Sequence, residues 1–486
     1  MIINHLEPTG LWTNFEEICK IPRLSKNEEK IIKFLEDFAT RNSLSYKRDK
    51  SGNILIKRDA SPGYENRKSV VLQSHLDMVG EKDSETKHDW SKDPITPIID
   101  DNWIRADKTT LGADDGIGIA AQMLILTDKT IETGALECLF TVDEETGMTG
   151  AKTLKSDFFK SKILINLDSE DEGQLFIGCA GGIDSIATFT YEPVKAPAGL
   201  HTVEISLTGL LGGHSGDEIH RGFGNSVKIM NRLLIELDSL FGIHINKFNG
   251  GNLRNAIPRE AFATILIKEG TYDIIKNYIK EFELKTITEL GKVDPGLKIE
   301  AQAEEKSRET ALSRANQESL NMAIEKCPHG VIGWSKSIEG LVETSTNLAS
   351  VKFNSNSIVI VTSQRSSNDI AKKEISTRVE TIFTSAGAEV FHPDGYPGWE
   401  PNTNSEILRI TRESYLKLFN EEPLVRAIHA GLECGIILET YPGLDMISFG
   451  PTIKGAHTPK ERINIPSTVK FWDLLVEVLK NIPAES

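Results

Sequence analysis

Four places in the sequence set residues of metal-ligand type just after a short apolar run. His75 and Asp77 follow residues 69–73, Glu144 and Glu145 follow 136–142, Asp168 follows 163–167, and His457 comes eight residues after the run 446–449. Imidazole nitrogen and carboxylate oxygen suit borderline-hard divalent ions such as Zn²⁺, Mn²⁺ or Co²⁺. Cysteine is absent from the set, which disfavours a closed structural zinc site. His75 and Asp77 share one side of an extended segment, so Asp77 can fix the tautomer of the imidazole without binding metal itself. Leu111-Gly112-Ala113-Asp114-Asp115-Gly116 sets two acids in a glycine-flanked turn. One carboxylate there can bridge two cations; the plain alternative is a turn that caps the helix behind it. Asp143-Glu144-Glu145 puts three acids in a row, which repel one another unless cations or protons intervene. Division of labour is the functional reading, with one Glu binding metal and its neighbour moving a proton. The bland reading is a solvated acidic loop. Gly116-Ile117-Gly118-Ile119-Ala120-Ala121 matches the dinucleotide pattern G-x-G-x-x-A, but two aspartates precede it and would repel a pyrophosphate, so nicotinamide binding is not expected.

Ligand sites in open α/β sheets form at the carboxyl ends of strands, so separate strand-end residues converge if the apolar runs share one sheet. Ser25-Lys26-Asn27-Glu28 has capping-box spacing, and Ile31, Leu35, Phe38 and Ala39 then recur at helical period, predicting a helix over 27–41. Apolar runs at 54–56, 69–73, 136–142 and 163–167 read as strands, with a buried helix over 116–126 between the second and third. Such alternation predicts an α/β fold with a mostly parallel central sheet covered by helices. The character changes at 193–199. Alternation at Val203, Ile205 and Leu207 predicts a half-exposed strand, and helices are expected over 226–240, 271–289, 312–325 and 367–385, with strands at 261–268, 349–354 and 357–362. This is α+β character. After the Pro/Gly-rich stretch 393–401, α/β character resumes with helices at 404–418 and 466–480. The expected organisation is a catalytic domain of residues 1–197 and 393–486, interrupted by an inserted α+β domain over 198–392.

The chain has 486 residues, a formal charge of −16 and ordinary globular composition, which excludes a disordered, collagen-like or rod-like protein. The acidic balance argues against a nucleic-acid partner. No apolar run approaches the ~18 residues of a membrane span, and the first residues lack a secretory signal pattern. Five scattered cysteines without a C-x-x-C pair fit a reducing, cytoplasmic setting.

The assembled motifs resemble the M20 family of metallopeptidases, and within it the bacterial aminoacyl-histidine (Xaa-His) dipeptidases. The resemblance spans nearly the whole chain. Ile21-Pro22-Arg23-Leu24-Ser25, Ser74-His75-Leu76-Asp77, Leu111-Gly112-Ala113-Asp114-Asp115-Gly116 and Asp143-Glu144-Glu145-Thr146-Gly147 are general to such enzymes. Gly212-Gly213-His214-Ser215-Gly216, Arg254-Asn255-Ala256-Ile257-Pro258-Arg259, Gly340-Leu341-Val342-Glu343-Thr344-Ser345, Tyr396-Pro397-Gly398-Trp399 and His429-Ala430-Gly431-Leu432-Glu433 are closer to the Xaa-His branch. The resemblance implies two divalent ions, Zn²⁺ first and Mn²⁺ or Co²⁺ as alternatives. His75 and Asp168 would hold one, Glu145 and His457 the other, and Asp114 would bridge them through a turn with a cis Asp114–Asp115 bond. Asp77 would orient His75, and Glu144 would be the general base acting on a bridging water. The inserted domain would be a lid, with His214 steadying the transition state and Asn255 and Arg365 holding the substrate carboxylate; Glu433 would read its amino group. The implied reaction is hydrolysis of dipeptides such as β-alanyl-histidine (carnosine). Another M20 activity, such as tripeptide aminopeptidase, and a non-catalytic peptide-binding scaffold stay open as alternatives. A lid of this length would also suit a homodimer.

Overall fold

A computed structural model describes residues 3–485, which form two compact units. The first comprises the chain up to Gly178, Pro401–Ala427 and the segment from Leu432 onward; the second comprises Cys179–Glu400 and Ile428–Gly431.

An eight-stranded sheet organises the first unit. Its order is Ser45–Arg48, Ile54–Arg58, Leu136–Thr141, Val70–His75, Ile163–Asn166, Asp445–Ser448, Gln174–Cys179 and Leu424–Ile428. The four middle strands, Leu136–Thr141 to Asp445–Ser448, are parallel. Val70 is level with both Leu136 and Ile163, and Ile163 with Asp445, so the four carboxyl ends lie along one edge of the sheet. Val70–His75, Leu136–Thr141 and Ile163–Asn166 are buried at every position, as continuous apolar runs are when both faces are covered. The first two strands pair antiparallel. The helix Ala113–Thr127 packs on Val70–His75 and against the helix Thr9–Cys19. The glycine pattern from Gly116 lies inside this buried helix and not in a strand-to-helix turn, so it has no phosphate-binding geometry.

One local expectation is overturned. The helix near residue 27 starts at Glu29, and Ser25 does not cap it. The Ser25 hydroxyl donates instead to Asp77 Oδ2 at 2.8 Å, and the Glu28 carboxylate accepts the amides of Lys26 and Asp143 at 2.9 and 3.0 Å. A distant partner takes the Ser25 hydroxyl, and Glu28 is shared between a local amide and a distant one.

The second unit is built on a nine-stranded antiparallel sheet that includes Gly181–Thr190, Leu200–Thr208, Ala261–Lys268, Val342–Phe353 and Ser357–Ser366. Helices Ser226–Phe241, Tyr272–Leu290, Arg314–Lys326 and Asp369–Ser385 pack on it around Leu233, Phe248, Ile265, Phe282 and Phe383. The side chain of Asn225 caps Ser226–Phe241 by accepting from Val227 and Lys228, and Gly242 ends it at φ 64°. Among the described residues no helix is long and apolar enough to cross a membrane. The five cysteines are buried, and none forms a disulfide.

Candidate metal centre and active site

The common edge of the parallel strands carries the centre. His75 is the last residue of its strand, Glu144 and Glu145 open the short helix Glu144–Gly147 after the neighbouring strand, and Asp168 follows Ile163–Asn166. Asp114 lies at the start of Ala113–Thr127, where Asp114 and Asp115 depart from helical angles and are joined by a cis peptide bond. Asp114 sits between two imidazoles: Oδ1 is 3.0 Å from His75 Nε2, and Oδ2 is 3.1 Å from His457 Nε2. His75 Nε2 is also 3.7 Å from Asp168 Oδ1, and His457 Nε2 is 2.9 Å from Glu145 Oε2. Two groups of ligand atoms result, His75 with Asp114 and Asp168, and Asp114 with Glu145 and His457, each within 4.8 Å. Glu144 falls in a third such group with His75 and Glu145.

The supporting contacts are specific. His75 Nδ1 faces the Asp77 carbonyl at 3.1 Å and its Oδ1 at 3.4 Å, which turns Nε2 towards Asp114. Asp77 also accepts the amides of Glu144 at 3.0 Å and Glu145 at 3.2 Å. Asp115, unassigned from the sequence, accepts the His75 amide at 3.3 Å and the Gly118 amide at 3.1 Å. Arg23, also unassigned, is 2% exposed and donates to the carbonyls of Leu76, Asp77 and Gly112. A buried arginine and a serine bonded across 52 residues leave no periodic trace in a sequence. The only signal is that Arg23 and Ser25 fall in Ile21-Pro22-Arg23-Leu24-Ser25, one of the motifs that carry the resemblance.

Charge is crowded here. Burial, then the neighbouring Glu433, Glu145 and Asp114 carboxylates, push Glu144 up to about 8 against the pull of His75. Burial raises Asp168 in the same way. Burial opposes a charge on His75, yet Asp168, Asp114 and Asp77 hold its pKa well above the ordinary value. Hydrogen bonds to Asp114 and Glu145 lift His457 to about 11. Asp77 is depressed to about 2, because its bonds to His75, to the Glu144 amide and to Ser25 outweigh burial. Glu145 Oε1 is buried with no hydrogen-bond partner. Acids that draw protons onto two histidines, beside an orphaned carboxylate oxygen, are a donor set that divalent cations would satisfy. The residues present therefore fit the metal pair.

Glu433, first in the helix Glu433–Thr440, is fully buried in the same unit. Its Oε2 accepts from Gln73 at 2.7 Å and Thr141 at 2.6 Å, while Oε1 has no partner, and burial lifts its pKa to about 7.

In the second unit His214 and Asn255 line one cavity of about 670 Å³ with Arg259 and Lys352. His214 Nδ1 is 3.1 Å from Asp217 Oδ2. Arg365 does not line that cavity. It is 8% exposed, donates to the Tyr396 hydroxyl at 3.1 Å and keeps a buried Nε without a partner. Ser345, opposite Arg365 in the sheet, has its hydroxyl 2.7 Å from His429 Nε2.

The chain is similar to known proteins over its full length. The cytosol non-specific dipeptidase of Escherichia coli (strain K12) is 42% identical over 485 residues, 99% of each chain. The crystal structure of aminoacylhistidine dipeptidase from Vibrio alginolyticus matches at a TM-score of 0.94 and 40% identity, over 100% of this chain and 99% of that one. Aminopeptidase PepT from Bacillus cereus, at 16% identity, a TM-score of 0.57 and coverage of 98% and 99%, shares the fold alone. The model of peptidase family M20/M25/M40 matches residues 71–481, a span that runs from the strand ending in His75 past the loop bearing His457. On the family match and the full-length relatives together, the chain belongs to peptidase family M20/M25/M40.

Proposed function

We propose that this chain is a dinuclear metal-dependent dipeptidase acting on Xaa-His dipeptides, β-alanyl-histidine among them, with Zn²⁺ as first choice and Mn²⁺ or Co²⁺ as alternatives. The observation that carries the reading is Asp114, whose two oxygens face His75 and His457 at 3.0 and 3.1 Å. In this reading His75 and Asp168 hold one cation, Glu145 and His457 the other, and Asp114 both. Cations held there would supply the charge that acidifies a water and polarises a scissile carbonyl. Glu144 takes the proton of the attacking water and returns it to the leaving amine. Asp77 holds the His75 ring and the amides of Glu144 and Glu145 in place. His214 is assigned to the developing oxyanion, Asn255 and Arg365 to the substrate carboxylate, and Glu433 to its free amine. An enzyme that recognises both ends of its substrate favours dipeptides, because a longer peptide leaves one charged anchor unpaired. The names of the two full-length relatives, a non-specific dipeptidase and an aminoacylhistidine dipeptidase, support dipeptides and point to a graded preference for histidine. The first of those names and five cysteines without a disulfide support a cytosolic setting.

The test is release of free histidine from β-alanyl-histidine by chelated protein before and after adding Zn²⁺, Mn²⁺ or Co²⁺, with Glu144→Ala alongside. Metal should restore activity, and Glu144→Ala should lose about 10²–10⁴-fold while binding the same amount of metal. No release with any metal withdraws the Xaa-His assignment. No cleavage across a panel of di- and tripeptides withdraws the peptidase reading.

A further inference from the structure

Glu461 lies four residues beyond His457 and is 2% exposed. Its carboxylate is wrapped by four consecutive backbone amides of the segment that carries Asp114. Oε2 accepts from Leu111 at 2.7 Å and Gly112 at 2.9 Å, and Oε1 accepts from Ala113 at 2.7 Å and Asp114 at 3.3 Å. Four successive amides can converge on one anion only where the chain curls, and Gly112 supplies the curl at φ 68°. The carbonyl of Gly112 goes to Arg23. An anion thus gathers the donors of this turn while a cation takes an acceptor. The segment of Glu461 is itself anchored. The Glu461 amide donates to the Thr458 carbonyl at 3.0 Å, and the strand Arg462–Asn464 pairs with Trp103–Ala106.

His457 is the ligand that burial holds least. Its side chain is 50% exposed, against 1% for His75, 4% for Glu145, 10% for Asp114 and 13% for Asp168. It sits in a loop at φ 61°. Packing therefore leaves its distance to Asp114 loosely set, and the grip of Glu461 on residues 111–114 is a direct tie between the two segments. We propose that Glu461 is a positioning residue of the metal centre: it locks the segment bearing His457 to the turn bearing Asp114, so that both ligands stand at binding distance before a cation arrives. This inference rests on the dinuclear reading above, and it predicts loss of metal affinity without any contact to metal or substrate.

The experiment measures metal binding, not activity. Zn²⁺ stoichiometry and affinity are read by competition with a chromophoric chelator for wild type, Glu461→Gln, Glu461→Asp and Glu137→Gln. Glutamine keeps the size of Glu461 but turns an NH₂ towards two of the amide donors. Aspartate keeps the charge but cannot reach all four. Glu137 is the matched control, a 5% exposed carboxylate of the same unit that accepts the amides of Lys160 and Ser161 at 2.8 and 2.9 Å. The expected result is two ions in wild type, affinity for at least one of them about 10–100-fold weaker in Glu461→Gln, an intermediate loss in Glu461→Asp and wild-type affinity in Glu137→Gln. Far-UV circular dichroism checks that each variant is folded, and Glu461→Asp carries the test if Glu461→Gln is not. Wild-type affinity in the folded Glu461 variants overturns the inference alone, as does an equal loss in Glu137→Gln. A wild-type chain that takes up one ion or none overturns the dinuclear reading, and the inference with it.

Discussion

Asp77→Asn is the sharpest perturbation of the centre that replaces no proposed metal ligand. Asp77 is fully buried, and its two oxygens divide the work. Oδ1 accepts the Glu144 amide at 3.0 Å; Oδ2 accepts the Glu145 amide at 3.2 Å and the Ser25 hydroxyl at 2.8 Å. Asparagine has one acceptor oxygen, so whichever way its amide is turned, a backbone N–H at the start of Glu144–Gly147 faces a donor. Losing one hydrogen bond to a charged group costs about 1.5–3 kcal/mol, and leaving the buried N–H unsatisfied costs about 1–3 kcal/mol. The lost bond and the stranded donor describe one event, so the net is about 1.5–3 kcal/mol, a sizeable part of the ~5–15 kcal/mol that holds a typical domain. The helix start carries both the proposed base and a proposed ligand, so part of that cost should appear as function. The expected fall in kcat/KM is about 10–100-fold, with weaker metal binding and an unchanged circular dichroism spectrum. The assay is kcat/KM for a dipeptide at saturating Zn²⁺, beside a Zn²⁺ titration and a thermal melt. Activity within twofold of wild type would refute the reasoning. A loss as deep as that of Glu144→Ala would refute it too, because Asp77 would then act on the reacting atoms themselves.

Zn²⁺ at one hundred times its Kd should stabilise the first unit by about 2.7 kcal/mol for each ion bound, seen as a raised Tm that a chelator reverses. Arg365→Lys should raise KM for a free dipeptide at least about tenfold and leave that for the dipeptide amide unchanged, because an ammonium cannot present the planar fork of a guanidinium; equal effects on both substrates would remove the carboxylate assignment. Glu433→Gln should narrow the preference for a dipeptide over its N-acetyl form, measured as a ratio of kcat/KM values, and an unchanged ratio would remove the amine assignment. His429 supplies a pH test. Burial, with Arg365 and His214 nearby, outweighs Asp217 and the Val342 carbonyl and holds its pKa down to about 3. Below its ordinary value near ~6.5 the unfolded chain takes a proton that the folded chain refuses, so its contribution lowers stability as pH falls from there towards 3 and is flat above. His429→Gln should therefore flatten part of the decline in unfolding free energy between pH 7 and 4; a parallel decline in both proteins would contradict the assigned environment.

Legibility in the sequence followed the physics of each element. Ser226–Phe241 was readable because its apolar face recurs at helical period and Asn225 caps it locally. The middle strands were readable as apolar runs, and with parallel strands one rule about carboxyl ends was enough to collect His75, Glu144, Glu145 and Asp168 on one edge. Val342–Phe353 was expected only from residue 349, because Thr344, Ser345, Thr346 and Asn347 are buried polar residues whose partners lie far off in sequence. Ser25 failed for the same reason. Its hydroxyl has a local partner by spacing and a distant one in fact. Arg23, Asp115 and Glu461 went unassigned because nothing in residue order tells a buried charge that binds backbone from an exposed one that binds water.

The strand Asp445–Ser448 lies in the middle of the catalytic sheet beside Ile163–Asn166, yet some 280 residues of chain separate the two in order of synthesis. At about 5–20 residues per second, the nascent chain waits roughly a quarter of a minute to a minute with Ile163–Asn166 as an exposed, apolar, unpaired edge. Cys179–Glu400 is made entirely within that wait and has its own core, so it can fold first. Biogenesis is therefore expected to run from the inside of the gene outwards, with the metal centre assembled last. The ribosome-bound intermediate, more than the finished enzyme, would be the species that needs a chaperone.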